Sequence, residues 1–310
     1  MKTLELSHIS DDGKSIHVYR WSPDGTQGGK IRASVLLAHG MAEHAVRYAR
    51  FAKALCNKGY ELWAPDHRGH GKTAAEGELG WLAPADGFKR VVNDLYSLSK
   101  RIKEEAPGLP LFLFGHSWGS FLSQGYMSLY GQDINGCILS GTAGNGGATL
   151  KLGRLVAGIG CAIKGQHSPA PLMDTMSFGS FNNAFKPNRT KFDWLSREEA
   201  EVDAYIRDPL CGFICSYGFF RDLLSGLSWI HDKKTMSLIP KDLPIFMIAG
   251  SKDPVGAATG SFDRLYDQYR TEGIKDLNKK LYPDGRHEVL NDTCREEATT
   301  DIIAWLDARI

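Results

Sequence analysis

Pro110-Leu111-Phe112-Leu113-Phe114-Gly115-His116-Ser117-Trp118-Gly119 is the stretch on which the fold turns. Residues 110–115 are apolar throughout, the pattern of a strand buried on both faces. From Trp118 to Tyr130 the chain reads as a helix. The serine between them therefore sits on a strand-to-helix turn, framed by Gly115 and Gly119 as G-x-S-x-G. So tight a turn is strained, and side chains at the two glycine positions would collide with neighbouring backbone. The helix that opens next points its first amide N–H groups at the turn, where they can hold developing negative charge.

Working outward, short apolar runs alternate with helical patterns. Upstream, Ala33 to Ala38 reads as a strand, Tyr48 to Lys58 as a helix and Tyr60 to Pro65 as a strand. A long helix follows, with Phe88, Val91, Leu95, Leu98 and Ile102 at three- and four-residue spacing. Downstream, Cys137 to Ser140 is another strand. Alternation of this kind means a parallel sheet covered by helices. Ile16 to Trp21, preceded by the turn signal Asp12-Gly13, predicts an antiparallel edge. After Ser140 the alternation stops, and it resumes with a strand at Pro244 to Ala249, a helix at Phe262 to Arg270, a strand at Asn278 to Tyr282 and a terminal helix ending in Ala304-Trp305-Leu306. The expectation is an α/β-hydrolase fold: a mostly parallel central sheet with helices on both faces, built from residues 1–140 and 241–310, with 141–240 inserted as a mainly helical cap.

A serine hydroxyl is a weak nucleophile at neutral pH and needs a histidine base, itself held in one tautomer by a carboxylate. In a sheet of this kind both follow the serine and lie on loops after later strands. Asp253, in Gly250-Ser251-Lys252-Asp253, follows the strand ending at Ala249; His287, in Asp284-Gly285-Arg286-His287, follows the strand ending near Tyr282. Of ten histidines only His287 lies downstream of Asp253, which fixes the assignment. Upstream, the strand at 33–38 runs into His39-Gly40-Met41-Ala42-Glu43-His44, where the glycine lets the backbone turn toward the serine. The Met41 N–H then joins the Trp118 N–H as a pair of oxyanion donors. The expected chemistry is cleavage of a carboxylic ester through an acyl-enzyme on Ser117.

These residues resemble a known group. His39-Gly40 with Glu43-His44, Asp66-His67-Arg68-Gly69-His70-Gly71 and Gly115-His116-Ser117-Trp118-Gly119 are together similar to the monoacylglycerol lipase and lysophospholipase group of α/β hydrolases. Glu201-Val202-Asp203 with Asp208-Pro209-Leu210 is similar to that group's cap segment, so the resemblance covers nearly the whole chain. It implies hydrolysis of single-chain acyl esters such as monoacylglycerol or lysophospholipid, without cofactor or metal, with Met41 and Trp118 supplying the oxyanion hole. The chain departs from the group after the serine, where Met-Gly-Gly is common and Trp118-Gly119-Ser120 stands here. Backbone roles survive this, and the indole bears on the shape of the acyl pocket.

Thirty-seven basic side chains against 36 acidic give a net charge of +1, so no whole-molecule field draws nucleic acid or an anionic membrane. A small neutral or amphiphilic substrate is expected instead. Met1 to His8 breaks every apolar stretch with a polar residue, unlike a secretory signal, which predicts a cytoplasmic protein. The six cysteines form no CxxC pair and are expected as free thiols. His39, His44, His67 and His70 lack the spacing of a metal-binding helix and are read as loop hydrogen-bonding groups, with Asp66 shaping the glycine-rich loop.

Leu155 to Ile163 is the longest apolar run, far short of the ~20 residues of a membrane span. Two readings of it stand side by side: a cap helix packed inward, or an exposed patch through which the cap transiently touches micelles or membranes. Gly158 and Gly160 weaken the helix and suit a mobile lid. Trp194, Phe213, Tyr217, Phe219 and Phe220 are expected to line an acyl tunnel with it. Two other functions stay open. An aminopeptidase-type serine hydrolase would need a carboxylate cluster, such as Glu198, Glu199, Glu201 and Asp203, to hold a substrate ammonium, although their helical spacing reads better as a solvated face. A non-catalytic, ligand-binding hydrolase fold is the other.

Overall fold

Five short, largely apolar runs become the centre of the sheet, with Glu61 of one of them paired to Arg20 and Ser34. In the computed structural model, which describes residues 1–24 and 30–310, the strands are β1 (Lys2–Ile9), β2 (Ser15–Ser22), β3 (Ala33–Ala38), β4 (Tyr60–Pro65), β5 (Leu111–His116), β6 (Gly136–Ser140), β7 (Ile245–Gly250) and β8 (Leu277–Tyr282). They pair in one sheet in the order β1-β2-β4-β3-β5-β6-β7-β8. The β1–β2 and β2–β4 pairs are antiparallel, and every other pair is parallel. All residues of β3, β4, β5, β6 and β7 are buried, as their composition requires.

The helices are α1 (Ala49–Cys56), α2 (Gly87–Glu105), α3 (Trp118–Tyr130), α4 (Ala148–Lys164), α5 (Pro171–Phe178), α6 (Glu199–Arg207), α7 (Tyr217–Ile230), α8 (Lys233–Ser237), α9 (Ser261–Thr271) and α10 (Arg295–Asp307). Successive residues of β3 point to opposite faces: Leu36 and Ala38 into a core shared with α2, α3, α7 and α9, and Val35 and Leu37 into a core shared with α1 and α10. Helices on both faces of a mostly parallel sheet are what the sequence pattern predicts.

Two elements differ from the sequence reading. Thr3-Leu4-Glu5-Leu6 mixes polar and apolar residues too evenly to announce a strand, yet residues 2–9 form β1, pairing along β2 as the sheet's edge with Leu4 and Ile9 exposed. The helix expected at 48–58 is α1 alone; a short 3-10 turn precedes it, and the chain leaves it at Gly59, whose φ of 85° suits glycine. Between β6 and β7 the chain adds α4 to α8 and no strand of the sheet. Within that stretch α7 buries Phe219 and Phe220 in the main core, and Gly226 admits the ring of Phe88.

Candidate active site

Ser117 stands between β5 and α3 at φ 52° and ψ −122°, a conformation that costs a residue with a β-carbon about 1–3 kcal/mol. Backbone hydrogen bonding holds it there. Its N–H donates to the Ser140 carbonyl at 2.8 Å, and its own carbonyl accepts from the Ser120 N–H at 2.8 Å and the Ser120 hydroxyl at 2.6 Å. The two glycines are required by space. A β-carbon on Gly119 would lie 2.0 Å from the Ala38 carbonyl oxygen, and one on Gly115 would lie 2.4 Å from the Gly119 carbonyl oxygen. The start of α3 can therefore press against the end of β3, bringing the loop that follows β3 alongside the serine. A β-carbon on Gly40 of that loop would sit 3.3 Å from Ser117 Cβ.

Asp253 and His287 come from the loops after β7 and β8. His287 Nδ1 lies 2.9 Å from Asp253 Oδ1, which also accepts the Val255 N–H at 2.9 Å, and both side chains are buried. Gly250 makes the approach possible, because a β-carbon there would lie 2.2 Å from the Arg286 carbonyl oxygen. Burial alone pulls the His287 imidazole down, but the Asp253 carboxylate beside it, helped by Glu288 and Glu43, outweighs burial and leaves it above its ordinary value. His116, whose ring lies 4.8 Å from that of His287, has no such partner; burial and the neighbouring His287 push it down to about 4. Ser117, Met41, Trp118 and His287 all line one cavity of about 1010 Å³, and Asp253 stands behind His287.

The loop after β3 is braced by charges that sequence reasoning did not single out. Glu43 Oε1 accepts the Gly40 N–H at 2.6 Å and the Tyr48 hydroxyl at 2.8 Å. Arg47 pairs with Glu43 and grips both oxygens of Glu288 at 2.7 Å each, with its guanidinium over the Tyr205 ring. One largely buried guanidinium thus ties the loop after β3, the residue next to His287 and α6 together. Glu43 and Glu288 are 245 residues apart in sequence order, 43 to 288, so no local pattern announces the contact. The inserted segment also ties down both loops through backbone: Gly212 N–H and the Tyr205 hydroxyl donate to the Ala42 carbonyl at 2.9 and 2.8 Å, and Glu288 N–H donates to the Leu195 carbonyl at 2.8 Å.

Of the clustered histidines, His39, His44 and His70 serve the loops as expected, whereas the His67 ring packs against His39 and Trp118 with its Nε2 buried without a partner. His39 accepts the His67 N–H at 3.0 Å and contacts the Gly40 carbonyl, while His70 accepts the Ala42 N–H at 3.2 Å and contacts the Arg68 carbonyl. Burial keeps both neutral, His70 at about 4. Asp66 accepts the N–H groups of Ala45 and Lys72, holding two loops at once. Among the described residues His44, Asp208 and Cys211 form one metal-sized trio, but His44 Nε2 is bonded to Asp208 at 2.8 Å and burial holds the Cys211 thiol protonated. All six cysteines are free. The Trp118 indole packs between His70 and Phe219, with ring centres 5.1 and 5.0 Å away, so most of its bulk is absorbed by the core.

The cavity wall differs in part from the expected one. Trp194 and Phe213 line it; Tyr217, Phe219 and Phe220 do not, being packed against α4 and the core. Phe121, Met173, Phe178, Leu223, Leu224 and Leu227 take their place. Gly160 also differs from its reading as a loosening element: a β-carbon there would lie 2.1 Å from the Tyr217 ring, so the glycine lets α4 lock onto α7. The four acids considered for an ammonium site are all matched to arginines, Glu198 with Arg295, Glu199 and Asp203 with Arg189, and Glu201 with Arg50.

Comparison with known proteins agrees with this architecture. A family model described as "Serine aminopeptidase, S33" matches residues 29–294. A monoacylglycerol lipase of Mycolicibacterium smegmatis is 28% identical over 92% of this chain and 90% of its own length. A monoglyceride lipase of Rattus norvegicus is 27% identical over 99% and 91%. Among solved structures, a highly thermostable carboxyl esterase from Bacillus coagulans in complex with glycerol superposes with a TM-score of 0.89 at 28% identity, covering 100% of this chain and 99% of that one. With a strained serine between β5 and α3, a buried Asp–His pair after β7 and β8, and a family match spanning most of its length, this chain belongs to the serine aminopeptidase S33 family and folds as an α/β hydrolase.

Proposed function

We propose that the chain is a serine hydrolase of single-chain acyl esters, with monoacylglycerol as the substrate class, acting through Ser117, His287 and Asp253. The observation that carries this is the buried Asp253–His287 hydrogen bond at the wall of the same large cavity that Ser117 lines. Ser117 Oγ attacks the ester carbonyl and gives its proton to His287 Nε2, while Asp253 holds Nδ1–H and stabilises the imidazolium. The oxyanion is received by the Trp118 and Met41 N–H groups. In support, Trp118 opens α3, where amides have no helical partner, and the amides on either side of Met41 are occupied, Gly40 by Glu43 and Ala42 by His70. His287 then returns the proton to the leaving alcohol, and water repeats the sequence on the acyl-enzyme.

The cavity favours a long acyl chain. Its volume stands at the upper end of small-molecule sites, and Phe121, Leu223, Leu224 and Leu227 on its wall offer no polar group. An aminopeptidase reading is less well served. Glu198, Glu199, Glu201 and Asp203 are held by arginines, Glu43 and Glu288 on the cavity wall share Arg47, and burial raises the Asp174 carboxyl, which disfavours its charged form. A panel of p-nitrophenyl esters of rising acyl length checks this: kcat/KM should climb by up to about fourfold per methylene until the cavity is full, with acetyl esters poor. Preference for acetyl, or faster cleavage of amino-acid anilides than of esters, would reverse the assignment.

We take residues 141–240 as a cap on the core of 1–140 and 241–310, and α4 as its lipid-facing element. Leu150 and Ala157 turn inward, but Leu152, Leu155, Ile159 and Ile163 are exposed by 58, 61, 49 and 75%, joined by Leu172 and Met176 of α5. Lys151, Arg154 and Lys164 flank that face, as on helices lying at a lipid surface. Leu152 and Met176 also line the cavity, so the patch continues into its mouth. No helix among the described residues is long and apolar enough to cross a membrane. Ile159→Asp should cut activity on dispersed monoacylglycerol by about tenfold while leaving a soluble butyrate ester within about twofold, because only the first substrate is collected from an interface. Equal losses on both would mean that Ile159 supports the cap's packing instead.

A further inference from the structure

The total charge of +1 hides an uneven distribution. Between residues 148 and 191, the stretch that holds α4 and α5, six basic side chains stand against one acid, a net charge of +5 that leaves −4 on the remainder. Of the six, Arg189 is neutralised by Asp203 and Glu199. Lys151, Arg154, Lys164, Lys186 and Lys191 are exposed, and among the described residues none of them makes an ion pair or a side-chain hydrogen bond. The one acid, Asp174, feels Lys191 without pairing with it. Single unmatched cations on a surface are ordinary; three of these share α4 with the exposed stripe of Leu152, Leu155, Ile159 and Ile163, and Lys191 lines the same cavity as Leu152 and Met176. Long aliphatic stems let such cations stay at headgroup level while the apolar stripe between them enters the acyl region.

We propose that this face docks on an anionic lipid bilayer in preference to a neutral one, which sets the cavity mouth against the membrane. This rests on the lipid-facing reading of α4 above and adds the charge of its partner. An acidic protein laid here would satisfy the cations but cover the mouth, whereas a bilayer satisfies them and supplies what enters. Each Lys or Arg held near an anionic surface strengthens partitioning by about fivefold, so Lys151, Arg154 and Lys164 together give about a hundredfold. The rest of the chain, with its net charge of −4, is repelled by the same surface, so the molecule arrives with α4 and α5 leading. The field is local. It acts only within about 10 Å in about 0.1 M salt, which is why the charge of the whole chain does not announce it.

Flotation of the full-length wild-type chain with two kinds of vesicle tests this, phosphatidylcholine alone and phosphatidylcholine with about one third phosphatidylglycerol. In about 0.1 M salt the anionic vesicles should bind about ten- to a hundredfold more tightly, and the advantage should vanish near about 1 M salt. Lys151→Glu, Arg154→Glu and Lys164→Glu combined should abolish the preference while a soluble butyrate ester is hydrolysed within about twofold of the wild-type rate. Should that variant not fold, Lys151→Gln, Arg154→Gln and Lys164→Gln combined decide, bringing the two vesicle types within about threefold of each other. Equal binding of the wild type to both vesicles overturns the proposal and leaves the lipid-facing reading of α4 standing; binding to neither overturns both. A preference that survives in the variants also overturns it, since the named cations would not be its source. So does tight uptake of short-chain phosphatidylglycerol as dissolved monomers, which would mean a headgroup pocket instead of a surface. Flotation needs no turnover, so its result stands apart from the ester-hydrolase assignment.

Discussion

Ser117→Ala will bring ester turnover down by on the order of 10⁶-fold, to what the cavity and its amides achieve unaided. In the proposed mechanism the loss is so large because His287 and Asp253 act only by moving the serine's proton; with no hydroxyl their hydrogen bond remains and does nothing. The fold should be unaffected. Alanine keeps the β-carbon and the φ of 52°, and the bonds that hold the elbow are made by the Ser117 backbone and not by its side chain. Thermal unfolding should therefore match the wild type, while a fluorophosphonate probe that labels the wild type should leave the variant unmarked. Turnover within tenfold of the wild type would remove Ser117 from the mechanism.

Asp253→Asn should cost about 10⁴-fold in kcat. Asp253 Oδ1 serves both the His287 Nδ1–H and the Val255 N–H, while Oδ2 is buried without a partner. An asparagine must either turn its NH₂ toward two donors or bury it where no acceptor waits, and in both cases the imidazolium loses its counter-charge. The pH profile gives an independent readout. In the wild type, His287 sits above the usual histidine value of about 6.5, and only its neutral form can take the serine proton. The rate should therefore rise with pH through a midpoint above about 6.5, and in the variant that midpoint should move down, because burial then acts with less opposition. The linkage has the opposite sign for stability: the imidazolium–Asp253 pair contributes below the ordinary value and is lost as pH climbs through the folded one. A rate that stays flat down to about pH 4 is incompatible with a histidine base.

The core was legible because its strands are buried on both faces. Phe112, Ile138 and Ile248 fall in runs with no polar interruption, Val35 and Leu62 in runs broken only by Ser34 and Glu61, and the ends of these runs mark where Gly40, Ser117 and Asp253 leave the sheet. β1 was missed because an edge strand is solvated; its alternation is real, but Glu5 and Lys2 face water and resemble a polar tail. The Arg47–Glu288 contact joins a loop near the start of the chain to one near its end, and nothing local encodes it. In the insertion, a run such as Leu155 to Ile163 says that a helix is apolar without saying which side meets the protein. That was decided by Gly160 and Tyr217, two residues whose fit appears only once α4 and α7 are side by side.

The conformation of Ser117 also bears on how such a chain evolves. Glycine would occupy φ 52°, ψ −122° without the penalty that a β-carbon brings, so on folding alone the elbow is a place where mutation has something to gain. A serine kept there is held against that drift, and under the proposed mechanism a benefit from turnover supplies the resistance. If selection on activity were relaxed, this position would be among the first to wander, and the better-folded descendants would be inert.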